Sequence, residues 1–283
     1  KVLITGNTGF KGSWLSLFLS YLGAKVYGLA LSPEGLNIYE SANVINGEVN
    51  SQIIDLRDLK KLNNFVEKVN PEIVFHMAAQ PLVKESYFNP IETYEINIIG
   101  TVNLLESLKN CESFKTALIV TSDKCYQNDE KGIPFSESDP LGGKDPYSSS
   151  KACQEIVSQS YYNSFYKNKD INISTARAGN VYGGGDFSKN RIIPDIIRSI
   201  YEGHQLEIRN PESIRPWQHV LDVIYGYLTL TEKLHNGIVS NGPWNFGPQK
   251  EKNVKVKELI DAVGEIKNFD YQLVQSNEQE SIN

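Results

Sequence analysis

Short apolar runs alternate with longer stretches of helical period along this chain. Continuous apolar runs of four to seven residues mark strands buried on both faces, and amphipathic stretches between them mark crossover helices. The strands predicted are Val2 to Thr5, Lys25 to Leu29, Val49 to Ile54, Ile73 to His76, Ala117 to Thr121 and Ile171 to Arg177. The helices predicted between them centre on Trp14 to Leu22, Leu59 to Val69, Thr93 to Leu108 and Ser149 to Tyr166. Strand and helix in regular alternation give an α/β class, a doubly wound parallel Rossmann-type sheet.

After Arg177 the texture changes to a glycine-rich turn, Gly183-Gly184-Gly185-Asp186, then a helix-like run Ile192 to Tyr201 and a proline-bearing run Ile208 to Trp217. Val220 to Leu234 returns to helical period. The expected organisation is a dinucleotide-binding domain of residues 1–177, with 216–240 packing back on it, and a smaller substrate lobe of 178–215 and 241–283. The chain starts at Lys1 inside an apolar run and stops in a polar stretch, Ser276 to Asn283, so it reads as trimmed at both ends, with the second lobe truncated. Neither an internal repeat nor a low-complexity linker is evident.

Composition narrows the function classes. The 283 residues are 40% hydrophobic and 22% charged, enough apolar material for a real core. A net charge of −6 disfavours nucleic acid or an anionic membrane as the main partner. No apolar run approaches the roughly 20 residues that span a bilayer. Cys111, Cys125 and Cys153 are an odd count without CxxC spacing, which argues against a disulfide framework and a structural zinc site. A reducing, cytoplasmic setting is expected. His76 and His219 lack ligand spacing, so they are read as satisfied structural histidines and no metal is expected.

The stretch Thr5-Gly6-Asn7-Thr8-Gly9-Phe10-Lys11-Gly12 follows the first strand and opens the first helix. Glycines there let a pyrophosphate approach backbone N–H groups at the positive end of a helix. Glycines serving only a tight turn are the alternative. The place about 20 residues on, where an acidic residue accepts the adenosine ribose hydroxyls, reads Leu29-Ala30-Leu31-Ser32-Pro33. With neither an acid nor an arginine it leaves NAD and NADP unseparated, and the lack of a base for a 2′-phosphate leans to NAD. Asp55 suits an adenine amino group, or equally a cap on the helix from Leu59.

Tyr147 and Lys151, at i and i+4 after Pro146, share one face of a helix. A phenol near pKa 10 is a poor base at neutral pH, and an ammonium on the same face lowers that value. Taken alone the pair reads as readily as a surface helix pair. Behind a dinucleotide loop, and with Ser122 ending a strand of the same sheet, it reads as a catalytic constellation.

At these residues the chain resembles the extended branch of the short-chain dehydrogenase/reductase superfamily, and within it the CDP-glucose 4,6-dehydratase family. The stretches that carry the likeness include His76-Met77-Ala78-Ala79-Gln80-Pro81-Leu82-Val83, Thr121-Ser122-Asp123-Lys124-Cys125-Tyr126, Gly142-Gly143-Lys144-Asp145-Pro146-Tyr147, Arg177-Ala178-Gly179-Asn180-Val181-Tyr182 and Arg215-Pro216-Trp217-Gln218-His219-Val220. The resemblance implies NAD contacted by Gly6, Asn7, Thr8, Gly9, Phe10, Asp55, Leu56, Ala78, Ala79, Gln80, Thr93, Thr121, Tyr147 and Lys151. It implies a small-molecule nucleotide sugar, CDP-glucose, met by Asn180, Arg191, Arg209 and Arg215, and a homo-oligomer formed through the helices around 93–108 and 149–166. Each arginine alone reads as solvated surface charge, and Asn97 reads as a holder of backbone near Tyr147 or as an ordinary core asparagine.

The resemblance also implies the chemistry. Tyr147, with Ser122 on the same substrate oxygen, takes the C4 hydroxyl proton as hydride leaves for NAD. Asp123 protonates the departing C6 hydroxyl, Lys124 takes the C5 proton, and hydride returns to C6. The pair Asp123-Lys124 points to the CDP-sugar enzymes, because the dTDP-glucose dehydratases carry Asp-Glu. An NAD-dependent nucleotide-sugar epimerase or decarboxylase is the competing enzyme reading, and a non-catalytic NAD-responsive module is the competing reading of another class.

Overall fold

The computed structural model describes residues 1–44, 49–129, 132–248 and 254–274. The chain divides into two compact units, residues 1–178 with 220–246, and residues 179–219 with 247–283. The expected polar terminus from Ser276 lies outside the described residues.

The first unit is built on a seven-stranded sheet. Its strands are β1 (Val2–Thr5), β2 (Val26–Ala30), β3 (Asn50–Ile53), β4 (Ile73–His76), β5 (Thr116–Val120), β6 (Asn172–Ala178) and β11 (Pro243–Phe246). The strand order is β11-β6-β5-β4-β1-β2-β3, and every pairing is parallel. The chain therefore winds outward from β1 in one direction through β2 and β3, then in the other from β4 onward. Ligands of such sheets bind beyond the carboxyl ends of the strands at that reversal, here between β1 and β4. The helices are α1 (Phe10–Tyr21), α2 (Ile38–Ser41), α3 (Leu59–Val69), α4 (Val83–Phe88), α5 (Pro90–Tyr94), α6 (Gly100–Leu108), α7 (Pro146–Tyr161) and α9 (Val220–His235).

The apolar periods account for the layers. Leu62, Phe65, Val66 and Val69 of α3 and Leu104, Leu105 and Leu108 of α6 bury against Leu3, Val74, Ala117 and Ile119 of the sheet. A buried side chain of this kind contributes about 1.5–3 kcal/mol of hydrophobic stabilisation. The predicted strands agree with the structure to within a residue or so at each end. Three helices differ from expectation. The stretch 149–166 begins earlier, as α7 at Pro146, and ends in a wide turn with i→i+5 bonding, Tyr162–Tyr166, that extends α7. α1 begins at Phe10, four residues before Trp14, because Gly12 sits in its first turn and masks the period. The stretch 93–108 is α5 and α6 joined through one wide turn, Glu95–Ile99, with i→i+5 bonding. Such an insertion is often associated with functional sites.

The second unit contains β7 (Val181–Tyr182), α8 (Ile192–Glu202), β8 (Leu206–Ile208), β9 (Ile214–Arg215), β10 (Gln218–His219), β12 (Val254–Lys255), α10 (Val256–Ile266) and β13 (Tyr271–Leu273). Its strands pair in three two-stranded ribbons, β7 with β10, β8 with β13 and β9 with β12. Its core is Ile196, Leu206, Ile208, Val256 and Ile260, with Trp217 packed against it.

Candidate active site

The loop after β1 fits a dinucleotide pyrophosphate. Gly6 has φ +74°, and a Cβ on it would lie 2.7 Å from the Ala78 nitrogen; one on Gly12 would lie 2.1 Å from the Gly6 carbonyl oxygen. The loop therefore packs backbone on backbone against the end of β4. Gly9 is the N-cap of α1, with no side-chain cap bond and no acidic residue in the first turn. That leaves the positive helix end for an anion. Gly6→Ala is expected to cost about 2 kcal/mol or more, from the left-handed backbone and the clash with Ala78. Thermal unfolding with and without NAD checks this, and NAD should stabilise the variant less than the wild type.

The remaining expected cofactor residues fall around this loop in different ways. The Asn7 side chain is fully buried and turned inward, with its Nδ2 donating to Ser51 Oγ at 2.9 Å and Gly28 leaving room for it. Its side chain is thus engaged inside the fold, which leaves its backbone facing the loop. Thr8 Oγ1 donates to the Leu31 carbonyl at 3.1 Å. Phe10 opens α1. Asp55 is gripped by Arg57, with contacts of 2.7 to 3.0 Å on both carboxylate oxygens, and this partner holds its carboxyl below the usual range. Asp55 does not cap α3; Asp58 does, accepting from the Lys61 N–H at 3.1 Å. Arg57 also meets Glu92 and Glu95, so its charge is answered by carboxylates rather than offered to a 2′-phosphate. Leu56 is buried, and its carbonyl accepts from Asn103.

Of Ala78, Ala79 and Gln80, just after β4, Gln80 is tied through Asn97 to the helix α7. The Gln80 N–H donates to Asn97 Oδ1 at 2.8 Å, and Gln80 Nε2 donates to Thr93 Oγ1 at 2.9 Å. Asn97 Nδ2 donates to Ser150 Oγ at 2.8 Å, and Ser150 Oγ donates to the Tyr147 carbonyl at 2.7 Å. Asn97 thus holds the backbone of Gln80 directly and meets Tyr147 only through Ser150, from the wide turn between α5 and α6.

The helix α7 starts where its residues dictate. Asp145 is the N-cap, accepting from the Ser148 N–H at 2.9 Å, and Pro146 occupies the first position. Tyr147 therefore falls in the first turn and Lys151 one turn on, both buried. Lys151 Nζ donates to Gln154 Oε1 at 2.9 Å and lies 3.4 Å from the Val120 carbonyl at the end of β5. Burial, with the Lys11 charge pushing the same way and Glu155 opposing, brings its ammonium down to about 7.

Directly after β5, Thr121, Ser122 and a short turn, Asp123–Cys125, follow. Ser122 Oγ donates to Asp123 Oδ1 at 3.1 Å and accepts from the Lys124 N–H at 3.2 Å. Asp123 is half-buried and Lys124 exposed. Thr121 Oγ1 donates to the buried Glu155. Glu155 also receives Thr175 Oγ1 at 2.6 Å and Arg177 Nη2 at 2.9 Å, and Arg177 Nη1 donates to Tyr126 Oη at 2.8 Å. This buried cluster anchors both ends of the Asp123–Cys125 turn. Thr121, expected at the cofactor, spends its hydroxyl there.

The four expected sugar-nucleotide residues all lie in the second unit. The Asn180 carbonyl accepts from the Gln218 N–H at 2.9 Å beside the β7–β10 ribbon. Arg191 is the N-cap of α8 and pairs with Asp186 at 3.2 Å. Arg209 follows β8, and Arg215 ends β9.

Sequence reasoning missed Lys11, whose Nζ lies 5.9 Å from the centre of the buried Tyr227 ring, and Gln154 beside Lys151. A signal for the second was present. Gln154, Glu155 and Ser158 continue the Tyr147–Lys151 side of α7 with polar residues where a core face would be apolar. Among the described residues no cluster of His, Cys, Asp and Glu could hold a metal ion, and no helix is long and apolar enough to cross a membrane.

The family model for GDP-mannose 4,6 dehydratase matches residues 3–279. The chain belongs to this nucleotide-sugar 4,6-dehydratase family. Within the family it is 48% identical to a CDP-glucose 4,6-dehydratase of Salmonella typhimurium strain LT2, over 92% of this chain and 74% of that protein. It is 30% identical to a dTDP-D-glucose 4,6-dehydratase of Dictyostelium discoideum, over 85% of this chain and 57% of that one. Among solved structures, a UDP-glucose 4-epimerase of Thermus thermophilus in complex with NAD superposes with a TM-score of 0.81 at 25% identity, covering 96% of this chain and 85% of that one.

Proposed function

We infer that this protein is a CDP-glucose 4,6-dehydratase, a hydro-lyase converting CDP-D-glucose to CDP-4-keto-6-deoxy-D-glucose and water with NAD. The observation that carries the catalytic reading is the contact of Lys151 Nζ with the Val120 carbonyl, which sets the Tyr147–Lys151 turn against the strand leading into Ser122, Asp123 and Lys124. The backbone of Gly6 to Phe10 and the N-terminus of α1 hold the pyrophosphate, with Asp55, Leu56, Ala78, Ala79, Gln80, Thr93 and Thr121 around the rest of the dinucleotide.

Each residue then has a task. Tyr147 takes the proton of the C4 hydroxyl, Ser122 hydrogen-bonds the same oxygen, and Lys151 favours the phenolate through its positive charge. Held by the loop after β1, NAD would supply a hydride acceptor for C4 and then a hydride donor for C6, so the net redox change is zero. The new C4 carbonyl acidifies C5–H. Lys124 accepts the C5 proton, and Asp123 donates a proton to the C6 hydroxyl, which leaves as water; as hydride reaches C6, Lys124 returns a proton to C5. Asp123 must be protonated at that moment and Lys124 neutral, against reference values near 3.9 and 10.4; a proton shared between neighbours meets both needs. Arg191, Arg209 and Arg215 answer the diphosphate charge with planar donor forks, beside Asn180.

The setting follows from the chemistry and the surface. A 4-keto-6-deoxy nucleotide sugar is a precursor for deoxysugars of surface polysaccharide, made in the cytoplasm. Ile91, Ile99, Ile156 and Phe165 are exposed on α5, the wide turn, α7 and its extension, a face suited to a second copy of this chain. The test is direct: incubation with CDP-glucose followed by alkali should give the enone-type absorbance of a 4-keto-6-deoxy sugar. CDP-glucose should be turned over faster than the UDP and dTDP sugars. Interconversion of sugars without that absorbance would make the protein an epimerase.

A further inference from the structure

Behind Lys151 runs a row of buried polar side chains to which the reaction above assigns no part. Gln154 Nε2 donates to Thr101 Oγ1 at 2.8 Å, Thr101 Oγ1 donates to the Asn97 carbonyl at 2.7 Å, and His76 Nε2 lies 2.8 Å from Thr101 Oγ1. His76 Nδ1 lies 2.7 Å from Thr5 Oγ1, which also receives the N–H groups of Met77 and Ala78 at 3.1 and 3.2 Å. Thr5, His76, Thr101 and Gln154 are fully buried.

One distribution of the hydrogens satisfies every group in this row. A threonine hydroxyl has one hydrogen and two lone pairs. The Thr101 hydrogen goes to Asn97, so both of its lone pairs accept, one from Gln154 Nε2 and one from His76 Nε2. His76 therefore carries its hydrogen on Nε2 and accepts at Nδ1 from the Thr5 hydroxyl, whose lone pairs take the two backbone N–H groups. Protonating His76 at Nδ1 would set a second hydrogen against the Thr5 hydrogen, and burial independently keeps the ring neutral, with its pKa down to about 3. Turning the Gln154 amide over would put its NH2 against the Lys151 ammonium and its oxygen against a Thr101 oxygen with no hydrogen to give.

We propose that Gln154, its amide oriented by Thr101 and His76, is a positioning residue for the dehydratase reaction, its carbonyl oxygen holding the Lys151 amine in place and favouring the ammonium form. The proposal rests on Tyr147 and Lys151 acting as assigned above. The groups facing Lys151 are Lys11 from α1, neutral His76 from β4, Cys125 from the turn after β5, and Glu155 on α7, itself paired with Arg177 of β6. Burial and Lys11 work against the ammonium, and the Gln154 carbonyl dipole works for it. Without that dipole Lys151 loses its proton at lower pH, Tyr147 loses the cation that acidifies it, and the acidic limb of the pH–rate profile moves up.

The experiment measures formation of reduced nicotinamide in the first turnover against pH, for the whole chain with NAD and CDP-glucose, in Gln154→Met, Thr101→Val and the double variant. Loss of a charge-assisted bond at a buried site predicts an upward shift of about one pH unit for Gln154→Met. Thr101→Val, close to isosteric, should shift the limb the same way by less, and the double variant no further than Gln154→Met alone. Nitrogen NMR of His76 should show a neutral ring with the hydrogen on Nε2 from about pH 5 to about pH 8. An unmoved limb in both single variants, additive shifts, or a hydrogen on Nδ1 would each overturn the proposal. If Gln154→Met does not fold, Thr101→Val decides alone. Lys151→Met separates the two levels: an active Lys151→Met variant removes the catalytic reading itself, whereas an inactive one beside an unmoved Gln154→Met profile removes only the positioning role.

Discussion

Tyr147→Phe should lower the rate of C4 oxidation by ~10³-fold, within the range contributed by a positioned general base, while NAD binding persists. The two effects separate because they belong to different parts of the fold. The proposed phosphate cradle is backbone, Gly6 at φ +74° and the start of α1, whereas the phenol belongs to α7. The phenol sits in the first turn of α7, and its position depends on the Asp145 cap and on the Ser150 bond to its carbonyl, with Asn97 behind Ser150, all of which a phenylalanine keeps. The missing element is a single oxygen. Reduced nicotinamide absorbance after mixing with CDP-glucose should then be absent on the wild-type timescale, and thermal stabilisation by NAD should match the wild type. Loss of NAD stabilisation in this variant would mean that the ring, and not only its hydroxyl, builds the cofactor site. The wild-type pH dependence carries its own sign. With its pKa brought down to about 7, Lys151 is mostly charged below that value, and its support of the phenolate fades as pH rises through it.

What was legible in the sequence follows from how local the determinants are. Six of the seven sheet strands were readable because parallel strands buried on both faces leave unbroken apolar runs, as Val74 and Phe75 in β4 and Ala117 to Val120 in β5 do; β11, Pro243–Phe246, has no such run and its stretch read as part of the second lobe. Tyr147 and Lys151 were readable because i and i+4 on one helix is a local relation, and Pro146 marks the helix start. Asp55 read equally as an adenine contact and as a cap because either of two carboxylates shortly before Leu59 could serve; Arg57 takes both Asp55 oxygens, and Asp58 caps the helix. Gln154, Thr101 and His76 could not be read together, since they come from α7, α6 and β4 and meet only when the sheet closes. The inward turn of Asn7 was hidden for a related reason: the space its side chain fills exists because Gly28 on the neighbouring strand has no Cβ. The second unit was the least legible. Its short ribbons offer little periodicity, and Arg191, Arg209 and Arg215 carry a charge whose purpose depends on what faces them.

The Asp123–Lys124 turn supplies the prediction that separates dehydration from simple oxidation. Asp123→Asn removes the proton donor and leaves the phenol and Lys151 intact, so C4 oxidation should proceed and stall: reduced nicotinamide accumulates and water loss falls ~10²-fold or more. The asparagine keeps an acceptor for the Ser122 hydroxyl, now 3.1 Å from Asp123 Oδ1, so the turn should hold its shape. Lys124→Met should also leave C4 oxidation in place but abolish exchange of the C5 hydrogen with deuterated solvent, because that exchange needs a base and not an acid. The two variants thus stop one reaction at different protons. Their separation depends on the turn being fixed from outside itself, and the buried Glu155–Arg177 pair does this by holding Thr121 before the turn and Tyr126 after it. A wild-type rate of water loss in Asp123→Asn would take the acid role away from Asp123, and unchanged C5 exchange in Lys124→Met would take the base role away from Lys124. If both variants instead lost C4 oxidation, the turn would be part of the oxidation step, and the division of labour between α7 and the end of β5 would have to be redrawn.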